Sequence, residues 1–449
     1  MSSNTFAPHI VLVNAWHDDN KGDSAITSGV LRLVEHVYPD SSVSVVGLTE
    51  GSSSTAAATR HVRRAHPNVR VVTIPVATEL RGRARSTPAV DVPIWLSRLF
   101  LPALTAVRGR PCRGYARLLA DADLVIAVGG SNLYTDTSVH PVVSLARLFT
   151  LAVPIHTATR MGIPTVLLGH TLGPFPAARP VTTAVARRLV AGADLTVVRD
   201  DASLPTARTL GLGYAELAPD LAYALQPQLT QRVSQICAAL PAPIERSAVI
   251  AMRSHPSLGA AADRRVCTEL VATATELIES GHIDHVLVVA HTLGPTDIED
   301  DRPVSGQLTT MLHAGRIPAT YVDTDLRPDE LAALYGQAAA MIAVRLHAAV
   351  LALLSGTPTF AIAYFSTKSA GIMRAAGSPD CVGEFVDVTA PTIVAALTPQ
   401  LSDPECRKRL ARTSRGHREH LISRSTDWLR GARRRADLPH TTTADRGTP

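Results

Sequence analysis

Lysine is nearly absent from this chain: of 44 lysine and arginine side chains in 449 residues only three, Lys21, Lys368 and Lys408, are lysines. Aromatic residues are also scarce, at 4% of the chain. That is too few for the stacking platforms of single-strand binders, and no recognition motif accompanies the net charge of +5, so nucleic-acid reading is excluded. The five cysteines (Cys112, Cys237, Cys267, Cys381, Cys406) form no C-x-x-C pair and have no nearby histidine at metal spacing. They read as reduced thiols of a cytoplasmic protein rather than as a disulfide frame or zinc site. No run approaches about 18 uninterrupted apolar residues, and no basic segment precedes an apolar one at the N-terminus, so neither a membrane span nor a signal peptide is expected.

With few aromatics, the 46% of hydrophobic residues must build cores mostly from Ala, Val, Leu and Ile, as buried parallel strands do. Short β-compatible runs alternate with helical patterns along the whole chain, which predicts parallel sheets wound with helices. The first series of strands is expected at 9–13, 42–47, 69–74, 123–128, 164–169 and 194–198, with helices at 23–37 and 181–189 among those between them. A second series is expected at 248–252, 285–290, 319–322, 339–344, 359–363 and 384–388. The length favours two domains. The reading is an α/β chain of two doubly wound, Rossmann-like domains facing a central cleft: residues 1–225, residues 226–429, and a disordered tail at 430–449. Residues 78–117 break the rhythm with eight arginines around an apolar stretch and read as an insertion. The insertion is either a solvated excursion or an amphipathic surface for peripheral contact with anionic lipid.

Open α/β sheets bind ligands beyond the carboxyl ends of their strands, so motif residues just after each strand should converge. After the first strand, Asn20, Gly22 and Asp23 stand at the mouth of a helix; Gly22 permits close approach, and Asp23 reads either as a cleft carboxylate or as the helix N-cap. Gly129, Gly130, Ser131 and Asn132 form an expected turn, followed by Tyr134 and Asp136. His170 and Gly173 lie at another strand end, where a histidine could exchange protons or simply be a satisfied structural residue. Arg199 opens the run Arg199-Asp200-Asp201-Ala202-Ser203, and Asp220 follows in Pro219-Asp220-Leu221-Ala222. In the second half Arg253 and His291 hold similar places. Arg345, Leu346 and His347 fall where a strand gives way to a helix, where backbone amides and the helix dipole favour an anion. Lys368 lies downstream. Several cations converging on one cleft imply phosphate or carboxylate.

The ordered set N-K-G-D, G-G-S-N, G-H-T-L-G-P-F, V-R-D-x-x-S, P-D-L-A, M-R-S-H and R-L-H-A, with Y-x-x-x-K-S-x-G downstream, resembles the polysaccharide pyruvyl transferase family over most of residues 9–390. The resemblance implies a glycosyltransferase-B-like arrangement, phosphoenolpyruvate as co-substrate, a sugar-containing acceptor, and no cofactor or obligatory metal. Carried over by motif, Arg199, Arg345, Leu346, Lys368 and Arg253 would hold the donor. His347 would protonate it, and Asp23, Asp136 or His170 would act on the acceptor hydroxyl. Gly22, Gly129, Gly130 and Gly173 would form the cleft backbone. Many members of the family carry a third glycine where Ser131 stands and a glutamine where His170 stands. Two other functions fit the same frame: a glycosyltransferase using a nucleotide-sugar, and a binding protein without catalysis.

Overall fold

The computed structural model describes residues 7–50, 55–76, 105–106, 108–135, 141–176, 180–255, 257–364 and 368–436. Its frame is two parallel sheets. The first contains β1 (His9–Ala15), β2 (Ser42–Glu50), β3 (Arg70–Val76), β4 (Leu124–Leu133), β5 (Thr165–Leu172), β6 (Leu195–Val198) and β7 (Ala215–Leu217), in the order β3-β2-β1-β4-β5-β6-β7. The second contains β8 (Ser247–Ala251), β9 (His285–Val289), β10 (Ala319–Val322), β11 (Ala340–Ala343), β12 (Thr359–Ala363) and β13 (Val382–Glu384), ordered β10-β9-β8-β11-β12-β13. Each order reverses direction once, between β1 and β4 and between β8 and β11. These reversals are the points where an open α/β sheet splays its connections and leaves a crevice.

The central strands are Val-, Ile-, Leu- and Ala-rich and buried on both faces, as helices on either side of a parallel sheet require. One core cluster is continuous from the inner face of the first sheet through the entire second domain, while the outer face of the first sheet has its own cluster. The helix Lys21–Val37 makes that continuity. It packs on its own sheet, on the turn Leu221–Ala224, and on second-domain helices Pro328–Gln337 and Leu346–Leu353. Gly29 lets the helix touch backbone, because a Cβ there would fall 2.9 Å from the Leu221 carbonyl carbon.

Three expectations are corrected. The strand expected at 384–388 lies at Val382–Glu384, because Asp387 and Val388 donate their amides back to the Glu384 carbonyl and turn the chain out of the sheet. The turn expected at Gly129–Asn132 is a continuation of β4, which runs to Leu133 with an irregular register against β5. The tail does not begin at 430: the last helix spans Cys406–Ala436, and residues 437–449 lie outside the described residues. Most of the expected insertion, 78–104, also lies outside them; Arg113–Leu118 is helical.

The last helix returns to the first domain. The Trp428 indole is 1% exposed and donates to Glu216 Oε2 at 2.9 Å, and Arg424 pairs with the same carboxylate at 2.7 Å. Arg430 donates to the Val37 carbonyl at 3.2 Å, and Arg407 ties the helix start to the Ala338 carbonyl at 2.6 Å. Here arginine forks are used to satisfy backbone carbonyls at element ends, a task a lysine ammonium does less well.

His170 is 0% exposed inside the first sheet, where its Nε2 makes a 3.1 Å hydrogen bond with the Ala127 carbonyl. Burial pushes its pKa down to about 4. It does not reach the cleft described below, so the expectation that it serves an acceptor hydroxyl is replaced by a structural role.

Two stability measurements follow from this packing. Trp428→Ala should lower the unfolding free energy in urea by about 3–5 kcal/mol, since it empties a core site shared by both domains. The folded-state pKa of His170 lies below the value of about 6.5 for an exposed histidine. Its contribution is therefore complete above pH 6.5 and is lost as pH falls toward 4, by about 3 kcal/mol in all. His170→Gln should flatten that acid limb in chemical denaturation run from pH 7 to 4.

Candidate active site between the two sheets

The carboxyl ends of the strands at both switch points face one cavity of about 550 Å³. Asn20, Gly22 and Asp23 reach it from beyond β1, Ser131 and Tyr134 from the end of β4, and Arg199 from β6. From the second domain come Arg253 after β8, His291, Thr292 and Glu299 after β9, Arg345 to His347 after β11, and Tyr364 and Lys368 after β12. All but Glu299 are placed by a strand end or by the helix start that follows it.

The entrance to the first helix is capped by Asn20, whose Oδ1 accepts from the amides of Gly22 at 3.2 Å and Asp23 at 3.4 Å. Asp23 is therefore not the N-cap, and its carboxyl lines the cavity instead. Burial raises its pKa, against the lowering influence of His347 and Arg199. At Gly22 the two domains meet closely: a Cβ on it would fall 2.7 Å from His347 Cγ. No other residue type leaves that histidine its place.

His347 Nε2 stands 3.2 Å from Arg199 Nη1 and 3.5 Å from Asp220 Oδ2. Arg199 in turn donates to Asp220 at 2.7 Å, to Thr171 Oγ1 at 3.0 Å and to Ser131 Oγ at 3.3 Å. Burial alone would raise the Asp220 carboxyl, but Arg199 and His347 outweigh it and hold it well below the usual carboxylate range. Asp220 also caps the turn Leu221–Ala224 through the Ala222 amide at 2.9 Å. The arrangement fixes the imidazole between a guanidinium and a carboxylate.

Arg345 was expected to offer its fork to a ligand. Instead its Nε and one terminal nitrogen grip Asp301, at 3.0 and 2.6 Å, and the same terminal nitrogen reaches the Glu299 carbonyl at 2.6 Å. A buried guanidinium needs such a partner. Its effect is to hold the Thr292–Asp301 loop against the cavity, since Asp301 also accepts from the Thr292 amide at 2.9 Å.

Three other cations have no carboxylate within ion-pair distance among the described residues. Arg253 is 6% exposed, stacks 4.2 Å over the Tyr364 ring, and donates to its neighbour's Ser254 carbonyl. Burial and the adjacent Arg345 pull its pKa down. Lys368 donates to Ser131 Oγ at 2.7 Å, and burial followed by Arg199 lowers it to about 8. Arg147 stacks 5.0 Å from the Tyr134 ring centroid. The His291 Nε2 and Thr292 Oγ1 atoms are buried on the wall without hydrogen-bond partners among the described residues. Charge and hydrogen-bonding capacity are thus left over, and a ligand with negative charge would use both.

Of the other residues named from sequence, Leu346 and Gly173 line the cavity, whereas Gly129 and Gly130 lie in β4 and do not. Gly129 serves sheet packing, since a Cβ would fall 2.5 Å from the Leu168 carbonyl oxygen. Asp136 lies outside the described residues. Lys21 faces away from the cavity, 1% exposed and 2.6 Å from Asp325 in the second domain, where Arg60 and His61 also meet that carboxylate. Arg147, in the middle of helix Pro141–Arg160, and Glu299, ten residues beyond β9, were not expected; neither sits in a motif or at a strand end. Burial raises Glu299 to about 7, with Arg345 opposing and Asp23 assisting. Among the described residues no group of three His, Cys, Asp or Glu side chains could hold a metal, and no helix is long and apolar enough to cross a membrane.

The fold is that of the glycosyltransferase-B class. A UDP-glucosyltransferase from Polygonum tinctorium is similar over 97% of this chain and 100% of its own, with a TM-score of 0.54 at 12% identity. The N-terminal domain of trehalose-6-phosphate phosphatase from Candida albicans is similar over 98% and 99%, with a TM-score of 0.55 at 10% identity. A UDP-N-acetylglucosamine 2-epimerase from Listeria monocytogenes, described as provisional in its assignment, matches over 95% and 98%, with a TM-score of 0.54 at 10% identity. At such identities the likeness concerns the fold alone. No curated protein matches the chain in sequence. The family model for polysaccharide pyruvyl transferase does match, over residues 20–366, which takes in Asp23, Arg199, Arg253, Arg345 and His347, and the chain belongs to the polysaccharide pyruvyl transferase family.

Proposed function

We propose that the protein transfers the pyruvyl group of phosphoenolpyruvate to two hydroxyls of a sugar-containing acceptor, forming a ketal and releasing phosphate. The observation that carries this reading is the excess of cations in the cavity: Arg253, Lys368 and Arg147 lack carboxylate partners among the described residues, while the nearby carboxyl of Glu299 is biased toward its neutral form. A phosphate ester with an adjacent carboxylate carries about three negative charges near neutral pH. Donor and cavity are matched in charge and in hydrogen-bonding type.

In this mechanism Arg253 and Lys368 bind the donor's phosphate and carboxylate. Leu346 supplies an apolar wall and, as the first residue of its helix, an amide without a helical partner. His347 delivers a proton to the methylene carbon of the donor, making C2 electrophilic. Asp23, on the first-domain side, takes the proton of the attacking hydroxyl as its oxygen bonds to C2. The C2–O bond to phosphate then breaks, its electron pair leaves with phosphate, and the Asp23 proton follows. A second hydroxyl closes the ring on C2 and returns its proton to His347. One hydroxyl proton thus ends on the methyl group and the other on phosphate, so the enzyme is regenerated.

The same fold could hold a nucleotide-sugar, so the donor experiment includes one. Phosphoenolpyruvate should raise the melting temperature of the wild-type protein while UDP-glucose and inorganic phosphate leave it nearly unchanged. Arg253→Met and Lys368→Met should each weaken phosphoenolpyruvate binding by about 30- to 100-fold, the loss of a charge-assisted contact of about 2–3 kcal/mol. Stabilisation by UDP-glucose alone would overturn the donor assignment.

Binding should also weaken with rising pH. Above about 7 Glu299 becomes an anion in an anion site, and above about 8 Lys368 loses the charge that holds the donor. The dissociation constant for phosphoenolpyruvate should therefore climb between pH 7 and 9 in calorimetric titrations. Glu299→Gln should remove the lower break and Lys368→Arg the upper one.

A further inference from the structure

Beside the donor cavity lies a second chamber of about 820 Å³, bounded by the ends of β5 and β6, the helix Lys368–Ala375 and the last helix. The two spaces share Gly173, Pro174, Arg199, Leu346 and Lys368 as a common wall. A molecule reacting at the donor could therefore extend past Arg199 and Lys368 into the chamber.

Its lining differs from that of the donor cavity. Leu172, Pro174, Leu217, Ile372 and Ala375 give it an apolar wall beside the charged Asp200, Asp201 and Arg374, and Leu217 leaves 44% of its surface uncovered. The volume falls within the range of about 300–1,000 Å³ typical of small-molecule pockets. Tyr223, only 2% exposed, lies on its floor, tilted against the His417 ring at 4.8 Å. Its hydroxyl is buried without a hydrogen-bond partner among the described residues. A buried hydroxyl without a partner carries a desolvation cost that an occupant bearing one polar atom would relieve. The mouth, at Gly371, Ala375, Gly416 and His420, is open to solvent.

We propose that this chamber receives the bulky apolar aglycone of a glycoside acceptor whose sugar faces the donor across Arg199 and Lys368. The inference rests on the pyruvyl-transfer reading for the placement of the sugar, and it adds the acceptor's chemical class. An extended polysaccharide has no apolar group to fill such a space, whereas an aryl or polycyclic aglycone removes apolar wall from water as it enters.

The test uses 4-methylumbelliferone, its glycosides with several common sugars, and the matching methyl glycosides, titrated against the full-length protein with phosphoenolpyruvate present. At least one 4-methylumbelliferyl glycoside should bind about tenfold more tightly than its methyl counterpart. Free 4-methylumbelliferone should bind measurably by fluorescence anisotropy. Ala375→Trp, which fills the chamber from its solvent-facing mouth, should abolish both effects, and Tyr223→Phe should weaken binding several-fold. Both variants should keep the wild-type thermal shift with phosphoenolpyruvate, which shows that they fold and that the donor site is intact. Equal binding of the two glycoside series, no binding of the free aglycone, or an unchanged preference in Ala375→Trp would overturn the assignment. Loss of the phosphoenolpyruvate shift in the wild type would instead overturn the donor reading, and the aglycone titration would still report on the chamber.

Discussion

The close seating of the helix Lys21–Val37 between the two sheets is the constraint on which the site depends. Its amino end carries Asn20, Gly22 and Asp23 into the cavity, and its body is buried against second-domain helices in one continuous core. Cores of this kind are dense and transmit small displacements. The position of His347 against Gly22, and hence its distance from Arg199 and Asp220, follows from how that helix packs. The ion cluster of Lys21, Arg60 and His61 around Asp325 closes the same junction from its far side. Cavity-lining groups from two domains thus share a single register.

Electrostatics divides the buried cations into two kinds. Arg199 and Arg345 are neutralised by Asp220 and Asp301 and serve to fix geometry, because an unpaired buried charge is costly. Arg253 and Lys368 have only aromatic, carbonyl or hydroxyl contacts, and burial lowers the pKa of each. The structure tolerates that cost where a ligand would repay it, which is how strained electrostatics marks a functional site. Ser131, at the end of β4, accepts hydrogen bonds from both Arg199 and Lys368 and so joins the fixed set to the unpaired one.

Much of the frame was legible in the chain. Continuous apolar β-branched runs separated by helical periods announce buried parallel strands, and eleven of the expected twelve strands overlap those observed closely, because the period is a local property. The family motifs brought Asp23, Arg199, Arg253, Arg345, His347 and Lys368 forward, since residues just after a strand in an open sheet point to the same crevice. The errors have local causes as well. His170 stands at a strand end by sequence, yet β5 continues past it and encloses the ring. The helix runs on through residues 430–436 although their polar, arginine-rich composition resembles a tail, because Ala432 finds a surface to cover.

Sequence by itself determined the fold class, the alternation of strands and helices, and the residue types at the strand ends, because each depends on neighbours a few positions away. Which cations remain unpaired was decided only by tertiary structure. Asp301 reaches Arg345 across 44 residues, Asp220 reaches Arg199 across 21, and Glu299 and Arg147 enter the cavity from segments with no motif at all. Charge pairing and burial are set by distance in space, and the packing of two domains on one helix establishes those distances.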